Sequence, residues 1–254
     1  MGLVDGKVAI VTGAGRSIGR AIALALAREG ATVLALGRNE QDLAETKALA
    51  EGPGELDTLP ADVTQADYVK QAVDTALQRH GKLTTIVNNA GTLVPGTVLE
   101  TSLEDFERTL AVNVTGVFLG CKYALPALIE GGGGSIVNIG SINSVAAEQQ
   151  LAAYTASKGA VLMLSKAIAL DHATQGVRCN CVCPGFVDTP LNVPHYEKLG
   201  GRQALEEGLP AFQPIGRAIE PHEIADPVVF LASDLSSAIT GTAVLVDGGV
   251  TAKA

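Results

Sequence analysis

The sequence contains no tryptophan, no cluster of five or six lysines and arginines, and no apolar stretch near the ~18 residues that a membrane span needs. Its formal net charge is -9, so the surface repels phosphate backbones and nucleic acid is not expected as a partner. The opening MGLVDGKVAIVTG lacks the basic flank and small-residue cleavage site of a secretory leader, and Gly6 stands where a myristoylation pattern requires Ser or Thr. A cytoplasmic protein with no membrane partner is the expectation. Cysteine is scarce, and three of the four occur alternately at Cys179, Cys181 and Cys183. Zinc sites place two or more residues between paired ligands, whereas this spacing repeats the two-residue period of a strand. The thiols read as small buried hydrophobes, and no metal is expected.

What is present describes a folded chain: 47% hydrophobic residues and 29 glycines over 254 positions, enough for one domain spanning 1–254 with a sizeable core. Short apolar runs recur at 8–12, 31–36, 56–61, 84–90, 135–141, 177–185 and 242–249, separated by helical patterns such as IGRAIALALAREG and DYVKQAVDTALQRHG. Continuous apolar strands alternating with helices predict an α/β fold, a doubly wound parallel sheet of about seven strands with helices on both faces. The segment 186–220 is rich in glycine and proline and reads as an irregular lid, where substrate specificity is expected to reside.

The first run leads directly into Thr12-Gly13-Ala14-Gly15-Arg16-Ser17-Ile18-Gly19, where a helical pattern begins at Ile18. Glycines between a first strand and first helix let the backbone approach a pyrophosphate, which sits on the free N–H groups of the helix. The spacing departs from G-x-G-x-x-G, because the third glycine arrives one residue late at Gly19. Farther along, Tyr154 and Lys158 stand four apart in AAYTASKGAVLMLSKAIAL and share a helix face. An ammonium ~5 Å from a phenol, at an effective dielectric near 20, favours phenolate by roughly 3 kcal/mol, about two pH units. The spacing therefore predicts a phenol lowered toward neutral pH and usable as an acid or base.

These residues together resemble the short-chain dehydrogenase/reductase family. The turn is similar to T-G-x-x-x-G-x-G, with Ser17 in place of its middle glycine. Asp62-Val63, Asn88-Asn89-Ala90-Gly91, Asn113, Ser141, Tyr154-x-x-x-Lys158 and Pro184-Gly185 follow in the family's order along almost the whole chain. The resemblance implies a Rossmann-like oxidoreductase that exchanges hydride between a nicotinamide cofactor and a secondary alcohol or ketone. It implies catalytic roles for Asn113, Ser141, Tyr154 and Lys158. Tyr154 transfers the proton, Ser141 holds the substrate oxygen, Lys158 supports Tyr154 and the cofactor ribose, and Asn113 anchors a water relay. Cofactor contacts are implied for Gly13, Gly15, Arg16, Ser17, Ile18, Gly19, Asp62, Val63, Asn89, Ala90, Gly91, Tyr154, Lys158, Pro184, Gly185, Val187 and Thr189, and substrate contacts for Ser141, Asn143 and Tyr154. His195, in the lid, is a further candidate for the substrate.

The cofactor's phosphate is read from charge. Family members using NAD usually carry an acid at the end of the second strand; here that position is Gly37, followed by Arg38, with Arg16 in the glycine turn. Two guanidiniums predict NADP(H) over NAD(H). An NAD-dependent sugar or sugar-acid dehydrogenase is the alternative, and a non-catalytic nucleotide sensor the alternative of another class. An acyl-carrier substrate calls for a basic patch, for which the lid supplies only Lys198, Arg202 and Arg217. The resemblance also implies a homo-oligomer, a homotetramer built on helices around 103–130 and 152–174 and on the last strand.

Overall fold

A computed structural model describes residues 2–253. Seven parallel strands form one sheet: β1 Val8–Thr12, β2 Thr32–Gly37, β3 Glu55–Pro60, β4 Thr85–Asn88, β5 Gly134–Ile139, β6 Val177–Pro184 and β7 Ala243–Val246, in spatial order β3-β2-β1-β4-β5-β6-β7. β1 is buried at all five positions, as a central strand covered on both faces must be. Its Ala9 pairs with Val33 on one side and Thr85 on the other.

Among the described residues, nine α-helices connect the strands: α1 Ser17–Arg28, α2 Glu40–Ala48, α3 Ala66–His80, α4 Leu103–Leu110, α5 Gly116–Glu130, α6 Ala152–His172, α7 Val193–Lys198, α8 Gly201–Phe212 and α9 Pro221–Ala232. One core, with Ile22, Leu26, Leu43, Val228 and Leu231, packs α1, α2 and α9 on one face. The other, with Val73, Leu128, Val161 and Ile168, packs α3, α5 and α6 on the opposite face. The chain thus leaves adjacent β1 and β4 toward opposite faces and opens a crevice at their C-terminal ends, where α/β sheets bind ligands.

Strand boundaries match the hydrophobic runs within one to three residues, and each discrepancy has a local cause. β4 stops at Asn88 because the backbone N–H groups of Asn89 and Ala90 turn back onto Thr12 Oγ1, at 2.9 and 3.0 Å. β7 stops at Val246 because the Asp247 carboxylate accepts from the N–H of Gly249 and Thr251, closing a turn through two left-handed glycines. The alternating cysteines of β6 are free and fully buried, with Cys181 Sγ 3.8 Å from Cys183 Sγ.

Two expectations change. The 186–220 segment is largely helical, holding α7 and α8, because Pro194 sits in the first turn of α7 and a good helix-forming run, RQALEE, follows the left-handed Gly200–Gly201 pair. The stretch 103–130, expected as a helix but not as an apolar run of membrane-spanning length, is one continuous helix, Leu103–Glu130, long and apolar enough by length and composition to cross a membrane. It instead lays Val117, Cys121, Ala124 and Leu128 into the core beside α3 and the sheet.

Candidate active site

A cleft of about 1180 Å³ runs along the C-terminal ends of the strands. At one end lies the glycine turn. Gly13 (φ +66°) is left-handed, and a Cβ there would lie 2.9 Å from Asn89 Nδ2; at Gly19 a Cβ would enter the Gly13 carbonyl. The Asn89 amide in turn donates to the carbonyls of Thr12 (2.9 Å) and Gly13 (3.3 Å), so the loop after β4 holds the loop after β1. Ser17 is also left-handed (φ 51°), where a side chain is strained by about 1 kcal/mol. No side chain caps α1, and Ser17, Ile18 and Gly19 line the cleft with their first-turn N–H groups unclaimed. Such a turn fits a dinucleotide pyrophosphate.

Beyond it, Gly37, Arg38, Asp62 and Val63 line the cleft on one flank and Ala90 and Gly91 on the other. Asp62 accepts from the N–H and Oγ1 of Thr64, at 2.9 and 2.8 Å, which sets the bend after β3. Arg16 and Arg38 are exposed at the same end, and neither guanidinium forms an ion pair among the described residues. Asp42 lies beside them, its Cβ 2.8 Å from where a Gly15 side chain would begin.

At the other end, Tyr154 and Lys158 project from α6 and Ser141 from the end of β5; all three are at least nine-tenths buried. Lys158 Nζ donates to the Ile139 carbonyl at 2.8 Å and sits 5.6 Å from the Tyr154 ring centroid. Asn113 lies in a π-turn, Ala111–Thr115, between α4 and α5 and has no exposed surface. Its Oδ1 accepts from Thr92 N–H (2.8 Å), while Nδ2 donates to the Thr92 carbonyl (2.9 Å) and Ser157 Oγ (3.0 Å). The side chain is therefore fully engaged by protein. Ser141 Oγ donates to Asn143 Oδ1 at 3.0 Å and accepts from Asn143 N–H at 3.1 Å.

The phenol is not lowered as the helical spacing suggests. Burial pushes Tyr154 up to about 12, with the neighbouring Ser141 hydroxyl opposing weakly and the Glu148 carboxylate adding to the rise. Burial likewise pushes Lys158 down to about 8. Helical spacing brings the two together as expected, but desolvation of both charged forms outweighs their attraction in a site this dry. Tyr154 stands as a protonated hydroxyl, ready to donate.

Pro184, Gly185, Val187 and Thr189 continue the cleft along the lid, and Thr189 is buried. The lid is pinned at both ends: Ile219 N–H donates to the Phe186 carbonyl (2.9 Å), and fully buried Gln213 accepts from Phe186 N–H (2.8 Å) and donates to the Arg217 carbonyl (2.6 Å). His195, on α7, lines the cleft and is buried, but its Nε2 donates to the Gln149 carbonyl at 3.1 Å. Sequence reading marks Thr12 only as the start of the glycine turn and misses its hold on the loop after β4; it misses Gln213, which acts through the backbone of distant segments, and Glu148, which lies in the irregular stretch between Ser141 and Tyr154. No periodicity marks any of them.

The family model described as Enoyl-(Acyl carrier protein) reductase matches residues 13–251. A 2-keto-3-deoxy-L-fuconate dehydrogenase of Xanthomonas campestris pv. campestris is 40% identical over 248 residues, covering 97% of this chain and 80% of its own. A 3-oxoacyl-(acyl-carrier-protein) reductase of Thermotoga maritima is 37% identical over 248 residues, covering 97% and 98%. A crystal structure of a short-chain dehydrogenase/reductase from Burkholderia xenovorans superposes with a TM-score of 0.95 at 34% identity over 100% of both chains.

Proposed function

The chain belongs to the short-chain dehydrogenase/reductase family and is a nicotinamide-dependent oxidoreductase of CH–OH groups, and from that membership we propose that it interconverts a secondary alcohol and a ketone with NADP(H) preferred. The observation that carries the reading is the burial of Tyr154, Lys158 and Ser141 together at the floor of one cleft that begins at a glycine turn.

The bound nicotinamide supplies or accepts the hydride. The chain's own residues handle the proton and the oxygen. In reduction, the Ser141 Oγ–H turns from Asn143 Oδ1 to join the Tyr154 hydroxyl on the carbonyl oxygen, and the Tyr154 O–H proton passes to it as negative charge develops. Protonated in the dry site, Tyr154 is poised for that direction. Lys158 stabilises the resulting phenolate and passes a proton toward it. Asn113 acts by position rather than as a proton carrier, since its amide in the π-turn is engaged by Thr92 and Ser157. The first-turn N–H groups of α1 would hold the pyrophosphate of a bound nicotinamide dinucleotide, and Asp62 and Val63 would lie on its adenine side.

Unpaired Arg16 and Arg38 support NADP(H). Asp42, in the same end of the cleft, is the observation that favours the NAD reading, because a carboxylate there suits a ribose diol and repels a phosphate. Exposed Leu103 and Phe118 on α4–α5, Met163 and Leu170 on α6 and Leu245 on β7 support a homotetramer, and the negative surface supports a cytoplasmic setting. The test is NADPH consumption over a panel of ketones with wild type and Tyr154→Phe. Loss of the proton donor is expected to lower kcat by about 10²–10⁴-fold with folding unchanged. A folded Tyr154→Phe variant that keeps most of its turnover defeats the assignment.

A further inference from the structure

Next to the reacting groups is a polar corner that the chemistry above does not use. Glu148 lines the cleft, and its carboxylate lies close enough to Tyr154, Asn143 and His195 to act on all of them electrostatically. Burial holds it above the ordinary carboxylate range, opposed by His195 and by the Asn143 amide. Asn143 is 3% exposed; its Oδ1 accepts from Ser141, and its buried Nδ2 faces Glu148 but lies beyond hydrogen-bond distance of any acceptor among the described residues. A buried amide N–H left unpaired costs free energy, of a kind a ligand acceptor recovers. The stretch carrying Glu148 is held in place: Gln150 adopts a left-handed φ of 63°, its carbonyl accepts from Gly96 N–H at 2.6 Å, and the Gln149 carbonyl receives His195 from the lid.

Resting on the ketone reading above, we propose that Glu148 and Asn143 form a subsite for a hydroxyl on the carbon next to the reacting one, so that the substrate is an uncharged vicinal hydroxy ketone or diol. A hydroxyl is the group that needs both partners, donating to the Glu148 carboxylate while accepting from Asn143 Nδ2. Asn143 is bonded to Ser141, which places its amide within one side chain of the reacting oxygen. On another side, Leu93, Leu151 and Leu191 pack around Tyr154 and suit an unsubstituted alkyl arm. An anionic substituent would face the Glu148 carboxylate. A carrier-bound acyl group would find no free basic patch at the lid, because Lys198 pairs with Glu100 (3.6 Å), Arg202 with Asp188 and Glu206 (2.8 Å each) and Arg217 with Glu223 (2.7 Å).

Three ketones of matched size separate the possibilities: 3-hydroxy-2-butanone, 2-butanone and acetoacetate, assayed with wild type, Glu148→Gln and Glu148→Leu. Wild type is expected to favour the hydroxy ketone over 2-butanone by at least about tenfold in kcat/KM, and to disfavour acetoacetate. Glu148→Leu is expected to bring the first ratio to near one. Isosteric Glu148→Gln, which preserves the packing, is expected to lower it by roughly three- to tenfold and to raise acetoacetate relative to 2-butanone. A wild type active on 2-butanone but indifferent to the hydroxyl overturns this inference alone, as do variants that slow all three ketones by one common factor. Inactivity of wild type on all three overturns the ketone reading beneath it.

Discussion

Replacing Arg38 by alanine removes one of two unpaired guanidiniums at the glycine-turn end of the cleft and leaves the glycine turn, Tyr154 and the lid untouched. A guanidinium-to-phosphate bond contributes roughly 1.5–3 kcal/mol when shielded. Arg16 and Arg38 are solvent-exposed, which reduces each to about 1 kcal/mol. The single variants Arg16→Ala and Arg38→Ala are therefore expected to weaken NADPH binding by about five- to tenfold each. The double variant should lose about 50-fold or less, because two cations on one phosphate are not independent. NADH, with a hydroxyl at that position, should change by less than about threefold. Titration calorimetry with both cofactors reads this directly, and raising the salt concentration should weaken NADPH more than NADH. Equal losses for the two cofactors, or a wild type that binds NADH more tightly, refute the argument and shift the weight to Asp42.

Two further outcomes concern stability. Ser17→Gly relieves a left-handed serine at the start of α1 and is expected to raise stability by about 0.5–1 kcal/mol, with NADPH affinity kept or improved; a lower Tm would show that the hydroxyl matters more than the strain. Lys158→Met removes a charge whose burial lowers its pKa from 10.5 to about 8, a penalty of about 3 kcal/mol at neutral pH, offset by about 1 kcal/mol for the orphaned Ile139 carbonyl. The sign follows from proton binding: between about pH 8 and 10.5 the unfolded chain holds the proton more tightly, so wild-type stability rises with pH across that window. The inactive variant should thus be more stable by about 2 kcal/mol at pH 7 and lose that advantage by about pH 10.5, as denaturant unfolding would register; a variant destabilised at pH 7 contradicts the desolvation account.

The order of elements and the residues that meet in the cleft were legible because they rest on local signals: continuous apolar strands, a glycine turn before a helix, a tyrosine and lysine one helical turn apart. The Tyr154 proton affinity was not, since helix geometry gives the separation of two groups and says nothing of the water excluded around them. Asn113 stood out in the sequence, but its engagement depends on Thr92 and Ser157, brought to it from other segments. Glu148 had no local mark at all. Its significance arises where the stretch after β5 meets the lid, a meeting that exists only in three dimensions.

That lid carries one more consequence. Its two ends are fastened to each other at Val187 and Ile219, and Gln213 ties Phe186 to Arg217 from beneath. What lies between returns to the rest of the molecule through His195 on the Gln149 carbonyl and Lys198 beside Glu100, whereas Tyr154, Lys158 and Ser141 sit on α6 and at the end of β5. Exchange of α7 and α8 would then be expected to alter which molecules are admitted while leaving Tyr154, Lys158 and Ser141 on their own elements. The clasp makes this segment an exchangeable cassette, the part of the protein most open to divergence and the natural unit for grafting a new specificity onto an unchanged chemical engine.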